Sequence, residues 1–260
     1  MSKVVEMTVT TFCSLLDSIG KSNLAYTMKI LALETSTLSG SVAIADSEAG
    51  LISEVTLSIK VAHSERLMPS IQWMLKTSHL SIHDMDVFAV SMGPGSFTGL
   101  RIGISTVKGL AYAAEKPVVA VPTLDAFARK LPLCAHFVCP VLDARKNEVY
   151  AALYTWDGPV CKKIMDECAV SPDDLVREII VHTDNETVVF MGEGAIVYKE
   201  VLVEAMGSQA LFAPQTVMVP SASAVAEIAM EKLKHGITED PVTLAPLYIR
   251  KSEAEIRWKG

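Results

Sequence analysis

Several features that would narrow the function at once are scarce or missing in this 260-residue sequence. The cysteines are odd in number and no two have the C-x-x-C spacing, which argues against a zinc ribbon, a thioredoxin-type site or a disulfide framework. They are Cys13, Cys134, Cys139, Cys161 and Cys168. We expect them to be reduced thiols in a cytoplasmic protein.

Long apolar runs and an excess of basic charge are also missing. No stretch reaches the roughly 18 apolar residues that a membrane-spanning helix needs, so we expect no membrane contact. The formal net charge is −7. An acidic chain repels the phosphate backbone, so we do not expect this protein to bind nucleic acid by itself.

The first 27 residues differ from the rest of the chain. Phe12, Leu15, Leu16 and Ile19 have helical spacing, but Asp17 interrupts any signal-peptide core. A clean strand pattern begins only after residue 28. We therefore expect the functional domain to begin near residue 28, with the leader (1–27) being either a start-site misassignment or an accessory helix.

From there on, strand and helix patterns alternate. Apolar runs bounded by polar residues predict strands at 29–36, 40–45, 51–59, 86–91, 118–122, 138–143, 148–154 and 188–191. Amphipathic patterns predict helices at 64–78, 98–114, 123–130, 172–180 and 222–234, with Thr123, Ser171 and Ser221 as N-caps. The first three strands should form an antiparallel meander. Two rounds of strands followed by helices predict an α/β protein with two similar lobes, 28–122 and 123–260. The last helix and the tail could pack back on the N-terminal lobe.

The segment 91–109, SMGPGSFTGLRIGISTVKG, is the most unusual stretch of the chain. Gly93, Gly95 and Gly99 form a glycine turn that runs into a helix, where backbone N–H groups could hold an anion. The segment lacks both the Lys-Ser/Thr of a P-loop and the G-x-G-x-x-G pattern. Gly99 and Gly103 lie four residues apart, so close docking of another helix is the alternative. Residues alone leave both interpretations open.

Candidate catalytic and metal-binding residues form no complete set. The position four residues after His63 is Leu67, and the pair His79 and His83 lies where Ser81 and Asp84 indicate a helix end. We therefore expect no metal site.

Three carboxylates each follow a predicted strand. Glu34, Asp143 and Glu193 stand where actin-like ATPases place metal-water acids, although capping of turns is the simpler explanation. Asp143 is followed by Arg145 and Lys146, and a local ion pair accounts for that grouping.

Taken together, these segments resemble one family. LALETST (31–37), HSERLMPSI (63–71), GPGSFTGLRIG (93–103), KGLA (108–111), DARKNEVY (143–150) and PLYIRKSEAE (246–255) resemble the TsaB family, also called YeaZ or glycoprotease-like. The resemblance runs from residue 28 to the C-terminus. It implies a two-lobed actin/heat-shock-chaperone/sugar-kinase-like (ribonuclease H-like) fold, with mixed sheets flanked by helices.

The resemblance also implies a role. Family members take part in making threonylcarbamoyladenosine next to the anticodon of tRNAs that read codons starting with A. They are regarded as non-catalytic partners of the similar enzyme TsaD, in a complex that includes the ATPase TsaE. TsaD carries a His-x-x-x-His metal pair that Leu67 interrupts here. We therefore expect no cofactor of the chain's own, with ATP or ADP bound only in the complex.

The family pairs with TsaD through its first two helices and forms homodimers through the same helices. Carried over to this chain, the interface residues would be Leu67, Ile71, Leu75, Leu100, Gly103, Ile104 and Val107. A vestigial nucleotide site would involve Glu34 and Asp143, although the family often has Asp at position 34. We expect tRNA to be reached through the complex.

Two other functions remain open. The chain could be an independent enzyme, either a weak ATPase of the sugar-kinase type or a metallopeptidase. It could also bind tRNA directly through a local basic patch, formed by Arg145, Lys146, Arg250, Lys251 and Arg257.

Overall fold

Two five-stranded sheets form the framework of the computed structural model, which describes residues 27–59 and 62–250. The predicted leader, up to residue 26, lies outside the described residues, as do the final ten residues. The strands of the first sheet are β1 (Lys29–Glu34), β2 (Gly40–Asp46), β3 (Gly50–Leu57), β4 (Val87–Gly93) and β5 (Val118–Pro122). Those of the second sheet are β6 (Phe137–Arg145), β7 (Glu148–Asp157), β8 (Val160–Val170), β9 (Val188–Met191) and β10 (Ala210–Phe212).

The two sheets have the same topology. The orders are β3-β2-β1-β4-β5 and β8-β7-β6-β9-β10, each with three antiparallel strands followed by two parallel ones. Leu33 of β1, for example, pairs with Val42 on one side and Val90 on the other. This repetition confirms the predicted two-lobed fold class and the antiparallel meander of the first three strands.

Within the described residues, seven helices cover the sheets. They are α1 (His63–Thr77), α2 (Phe97–Ala114), α3 (Thr123–Ala128), α4 (Pro172–Thr183), α5 (Glu193–Val197), α6 (Lys199–Met206) and α7 (Ala222–Lys234). Short 3-10 turns lie at Ile82–Asp84, Gly207–Gln209 and Gln215–Val217. None of these described helices combines the length and apolarity that crossing a membrane requires.

The first sheet is buried on both faces, and the middle parts of its central strands are accordingly near-continuous apolar runs. Leu31 and Leu33 of β1 pack under α1 and α2, whereas Ile30 and Ala32 pack under α7. The short helix α3 lies between the sheets, since Ala126 belongs to the core of the first sheet and Phe127 to that of the second.

Four elements were not predicted, namely β8, β10, α5 and α6. The strand β8 lies at a sheet edge and carries Lys162, Lys163 and Glu167, charges that discourage pairing with another chain. The same charges hide the strand pattern in the sequence.

Two of the three predicted helix caps need correction. Ser171 does cap α4, since its hydroxyl accepts a hydrogen bond from the backbone N–H of Asp174 (3.1 Å). Thr123 is instead the first residue of α3, and its buried hydroxyl has no partner among the described residues. Ser221 precedes α7, but the carboxylate of Glu54 in β3 accepts from the backbone N–H of Ser223 (3.0 Å) in its place.

Candidate functional site

The carboxylate of Glu34, at the end of β1, is closed off inside the N-terminal lobe. One oxygen accepts a hydrogen bond from the backbone N–H of Ser36 (2.6 Å) and the other from the hydroxyl of Ser91, in β4. Burial raises the pKa of Glu34, while these hydrogen bonds lower it. Glu34 is 1% exposed. Both carboxylate oxygens are therefore engaged inside the protein, and the role of Glu34 in a nucleotide site stays a prediction.

The glycine turn is shaped by the loop that follows β1. A Cβ at position 95 would collide with the carbonyl oxygen of Ser36, and one at position 99 with that of Thr35. The Ser36 carbonyl also accepts a hydrogen bond from the backbone N–H of Ser96 (2.6 Å). The turn therefore admits the chain's own backbone, which is neither of the two interpretations that the sequence left open.

The other two strand-end carboxylates belong to neighbouring strands of the second sheet, since Asp143 lies in β6 and Glu193 follows β9, and their charges interact. Asp143 accepts a hydrogen bond from the backbone N–H of Arg145 (2.9 Å) and pairs with its guanidinium (3.1 Å), as the local ion-pair explanation predicted. The pKa of Glu193 is raised to about 7, chiefly by burial, and the charges of Asp143 and Glu34 contribute to the increase while that of Arg145 opposes it. Within the described residues, no three His, Cys, Asp or Glu side chains are placed to hold a metal ion.

His63, the histidine that the sequence analysis considered as a metal ligand, contacts other protein groups through both ring nitrogens. The Nε2 of His63 lies 2.7 Å from the carbonyl oxygen of Thr37, and its Nδ1 lies 3.0 Å from Nη2 of Arg66. Burial lowers the pKa of His63. The other two candidates, His79 and His83, follow the end of α1 and share no helical face.

A residue that sequence reasoning missed is Arg66, which is only 7% exposed. Its guanidinium donates to the carbonyl oxygens of Leu57 (2.9 Å), Ile59 (3.1 Å) and Leu38 (2.5 Å). It thereby ties the loop after β1 and the loop after β3 to the start of α1. The HSER run at 63–66 was visible in the sequence, but only the structure shows three carbonyls converging on it.

The side chains predicted to form the partner interface are buried, so in this structure no partner can contact them. All seven lie inside the N-terminal lobe: Leu67, Ile71, Leu75, Leu100, Gly103, Ile104 and Val107. The reason is geometric, because the apolar stripe of a helix lying on a sheet faces that sheet. A Cβ at position 103 would collide with the hydroxyl of Thr35, so this glycine also serves an internal contact.

The same two helices also carry exposed apolar side chains outside their buried stripes. Met68 and Trp73 of α1 are 48% and 58% exposed, and Tyr112 of α2 is 87% exposed. Gly109 of α2 is also exposed, and a Cβ there would meet nothing within 4 Å. We call the exposed surface of α1 and α2 that carries these residues the helical face. Large side chains off the apolar stripe were the signal that could have predicted it.

The C-terminal segment 241–250, which we call the strap, crosses from one lobe to the other. Leu244 is buried in the core under α1 and α2, and the N–H of Leu247 donates to the carbonyl oxygen of Met92 (2.7 Å). Arg250 then donates to the carbonyl oxygen of Ala144 (3.0 Å) and to the carboxylate of Glu148 (2.9 Å), both on the second sheet.

The basic patch considered from the sequence is partly neutralised. Arg145 pairs with Asp143 and Arg250 with Glu148. Lys251 and Arg257 lie outside the described residues.

Comparison with known proteins shows which proteins this chain is similar to. A family model described as TsaD, tRNA N6-adenosine threonylcarbamoyltransferase, matches residues 50–258. The tRNA threonylcarbamoyladenosine biosynthesis protein TsaB of Escherichia coli (strain K12) is 32% identical over 234 residues, which cover 89% of this chain and 97% of that protein. The chain belongs to the TsaB family.

Other TsaB-family relatives agree along the same part of the chain. The TsaB protein of Bacillus subtilis (strain 168) is 29% identical over 231 residues, covering 89% of this chain and 98% of that protein. The solved structure of YeaZ from Pseudomonas aeruginosa is 28% identical, with a TM-score of 0.73, and covers 85% of this chain and 99% of that one. The family resemblance predicted from the motifs is thus confirmed.

Proposed function

We propose that this chain is a non-catalytic subunit of tRNA threonylcarbamoyladenosine biosynthesis that pairs with the transferase TsaD through the helical face. The observation that carries the proposal is the exposure of Met68, Trp73 and Tyr112 on the two adjacent helices. Aromatic side chains dominate binding energy at protein interfaces, and exposed apolar clusters mark such surfaces.

Gly109 supports a close helix-to-helix contact at the same place. A glycine inside a helix is about 1 kcal/mol less favourable than alanine, and nothing within the described residues requires one at this position. Ser105 and Ala113, four residues before and after it, are small and exposed as well. A partner helix could therefore approach the backbone of α2 along this line.

The interior of the N-terminal lobe supports a non-catalytic role. Both oxygens of Glu34 accept hydrogen bonds from neighbouring residues, and both ring nitrogens of His63 lie within hydrogen-bond distance of protein groups. The metal pair of TsaD is incomplete here because Leu67, at the position of the second histidine, cannot bind a metal and packs in the core instead. ATP or ADP, TsaE and tRNA would meet this subunit only in the assembled complex.

A reconstituted modification assay tests the proposal. tRNA threonylcarbamoylation would be measured with the cognate TsaD, TsaE and carbamoyl-adenylate synthase, with and without this chain. We expect modification to require it. We expect Trp73→Asp and Tyr112→Asp to abolish TsaD binding, whereas Val181→Asp, an equally exposed position on α4, leaves it intact.

Three results would contradict the proposal. Full modification without the chain would remove the need for a scaffold. TsaD affinity unchanged by both helical-face variants would place the contact elsewhere. ATP hydrolysis or peptidase activity of the isolated chain would favour the independent-enzyme alternative. Sedimentation of the same variants tests homodimer formation, which should be lost together with TsaD binding.

A further inference from the structure

Arg101, on the outward side of α2, is held in position from two directions. Its Nε donates a hydrogen bond to the hydroxyl of Tyr248 in the strap (3.1 Å). Its guanidinium carbon lies 3.9 Å from the centroid of the Phe97 ring. The Tyr248 ring stacks on the same Phe97, with centroids 4.9 Å apart and planes 23° from parallel. The three side chains form one cluster at the start of α2.

The two terminal nitrogens of Arg101 have no hydrogen-bond or carboxylate partner within the described residues. Other arginines differ, because Arg129 pairs with Glu227 and Glu231 and Arg250 with Glu148. The Arg101 side chain is exposed and held by Tyr248 and Phe97, and no group of the described residues pairs with its terminal nitrogens. Its fork of terminal N–H groups matches the two oxygens of a carboxylate, which it can bind with two parallel hydrogen bonds.

The cluster is continuous with the helical face. The exposed positions of α2 include Thr98, Arg101, Ser105 and Tyr112, whose spacings of three, four and seven residues keep them on one side of a helix. A partner that covers Tyr112 would therefore lie along the same side as Arg101.

We propose that Arg101 is a preorganised anchor for an acidic side chain of the protein that docks on the helical face, and that the strap positions it. The inference rests on the proposed function and adds the chemistry of the partner: an Asp or Glu that faces the start of α2. Preorganisation matters because an arginine side chain otherwise loses rotamer freedom on binding. Phe97 and Tyr248 remove most of that freedom beforehand.

The location favours a protein carboxylate over a free phosphate. Arg101 stands among exposed apolar and small side chains of a helix, with Tyr248 and Phe97 beside it, a composition typical of interface hot spots. Lys108, seven residues further along α2, already donates to the carbonyl oxygen of Val242 in the strap (3.1 Å). A polyphosphate would need several cations free to converge on it.

Affinity for TsaD, measured by titration calorimetry with full-length proteins at low and high salt, tests the proposal. We expect Arg101→Gln to weaken binding about tenfold or more, and to reduce the salt dependence of the dissociation constant. Tyr248→Phe keeps the stack but removes the hydroxyl, and it should weaken binding roughly threefold. Arg177→Gln, an exposed arginine on α4, is the matched control and should have no effect. Thermal unfolding of each variant alone shows whether the fold is preserved.

Acidic residues on the paired helices of TsaD provide the second arm. When the Asp or Glu of TsaD that contacts Arg101 is replaced by Lys, affinity for the wild-type chain should fall. Affinity of the same TsaD variant for Arg101→Glu should be restored. Rescue of this kind supports a direct carboxylate contact.

The outcomes separate the two proposals. If Trp73→Asp abolishes binding and Arg101→Gln leaves it unchanged, the anchor is wrong while the docking face stands. If neither matters, or the wild-type proteins do not bind, the proposed function itself fails. If Arg101→Gln abolishes binding of ADP or inorganic phosphate without changing TsaD affinity, the anchor serves a phosphate and the inference is overturned.

Discussion

Gly93 and Leu247 approach each other so closely that a Cβ at position 93 would lie 2.5 Å from the carbonyl oxygen of Leu247. Gly93 also has a φ of 120°, which other residues rarely adopt. The glycine turn, which looked like a ligand-binding or helix-docking feature, thus receives the strap on one side and the loop after β1 on the other. Two distant parts of the chain explain its composition.

Replacing Gly93 with Ala should therefore displace the strap. We expect Gly93→Ala to reduce the free energy of unfolding by about 1–3 kcal/mol, measured by urea denaturation. Gly50→Ala is the matched control, because Gly50 also has positive φ (78°) but open space around it. Hydrogen exchange at the Leu247 amide should speed up only in the Gly93 variant. Equal losses in both variants would show that the strap contact contributes nothing.

The contact between Gly103 and Thr35 allows a double-mutant test. Gly103→Ala would overlap the hydroxyl of Thr35, which donates to the carbonyl oxygen of Gly99 (2.8 Å), and we expect a destabilisation of about 1–3 kcal/mol from overpacking. Thr35→Ala removes the overlapping oxygen. The double variant should then be more stable than the two single effects added together. Strict additivity would mean that the overlap is relieved elsewhere.

The repeated architecture could be predicted because its central strands are short apolar runs bounded by polar and turn residues, a pattern typical of buried strands. The helices α1, α2, α4 and α7 were equally visible, since each places apolar side chains at helical spacing. The edge strand β8 was not, because the charges that protect it from pairing with another chain also mask its period. Packing of α5 and α6 against the second sheet depends on the tertiary core rather than on a local pattern.

The sequence predicted a partner surface on α1 and α2, but the seven side chains that it named are buried. Leu67 and Val107 follow the apolar stripe, and a stripe alone does not say whether a sheet or a partner covers it. The burial of these residues shows that the sheet covers the stripe, whereas Trp73 and Tyr112 of the same helices are exposed. Likewise, the role of Arg66 follows only from its three carbonyl partners, one in the loop after β1 and two at the end of β3 and just beyond it.

Arg66 should therefore be essential to the fold. Its guanidinium donates to three carbonyl oxygens and has no carboxylate partner within the described chain. Arg66→Met keeps the apolar stem but leaves those carbonyls without their donor, and we expect a loss of about 2–4 kcal/mol in unfolding free energy. Arg177→Met, at an exposed surface pair, should stay within about 0.5 kcal/mol. A loss no larger than the control would show that water replaces Arg66.

A substitution at Gly109 should change the stability of the chain and its affinity for TsaD in opposite directions. Gly109→Ala adds a side chain in open space within a helix, so we expect the isolated chain to gain up to about 1 kcal/mol in stability. If a partner helix passes close to this point, the added methyl group should weaken TsaD affinity at the same time. Thermal unfolding and titration calorimetry on one variant measure both. A stabilised variant with unchanged affinity would exclude close approach at Gly109.

Glu193 should make stability depend on pH. Because burial raises its pKa from 4.5 in the unfolded reference to about 7, the folded state holds a proton that the unfolded state releases between these values. The contribution of this group is fully present below pH 4.5 and is lost as the pH rises through 7. The full loss has an upper bound of about 3 kcal/mol, at about 1.4 kcal/mol per pKa unit.

Glu193→Gln, which stays neutral, measures this effect directly. We expect the variant to match the wild type near pH 5 and to exceed it in unfolding free energy at about pH 8. Glu178→Gln, an exposed glutamate on α4, serves as the control and should show no such divergence. Urea denaturation at both pH values decides the matter, because a constant offset would reflect an altered contact, whereas a difference that grows with pH requires a carboxyl group that resists ionisation. The carboxylates of Asp143 and Glu34 should account for part of that resistance, so adding Asp143→Asn should reduce the divergence.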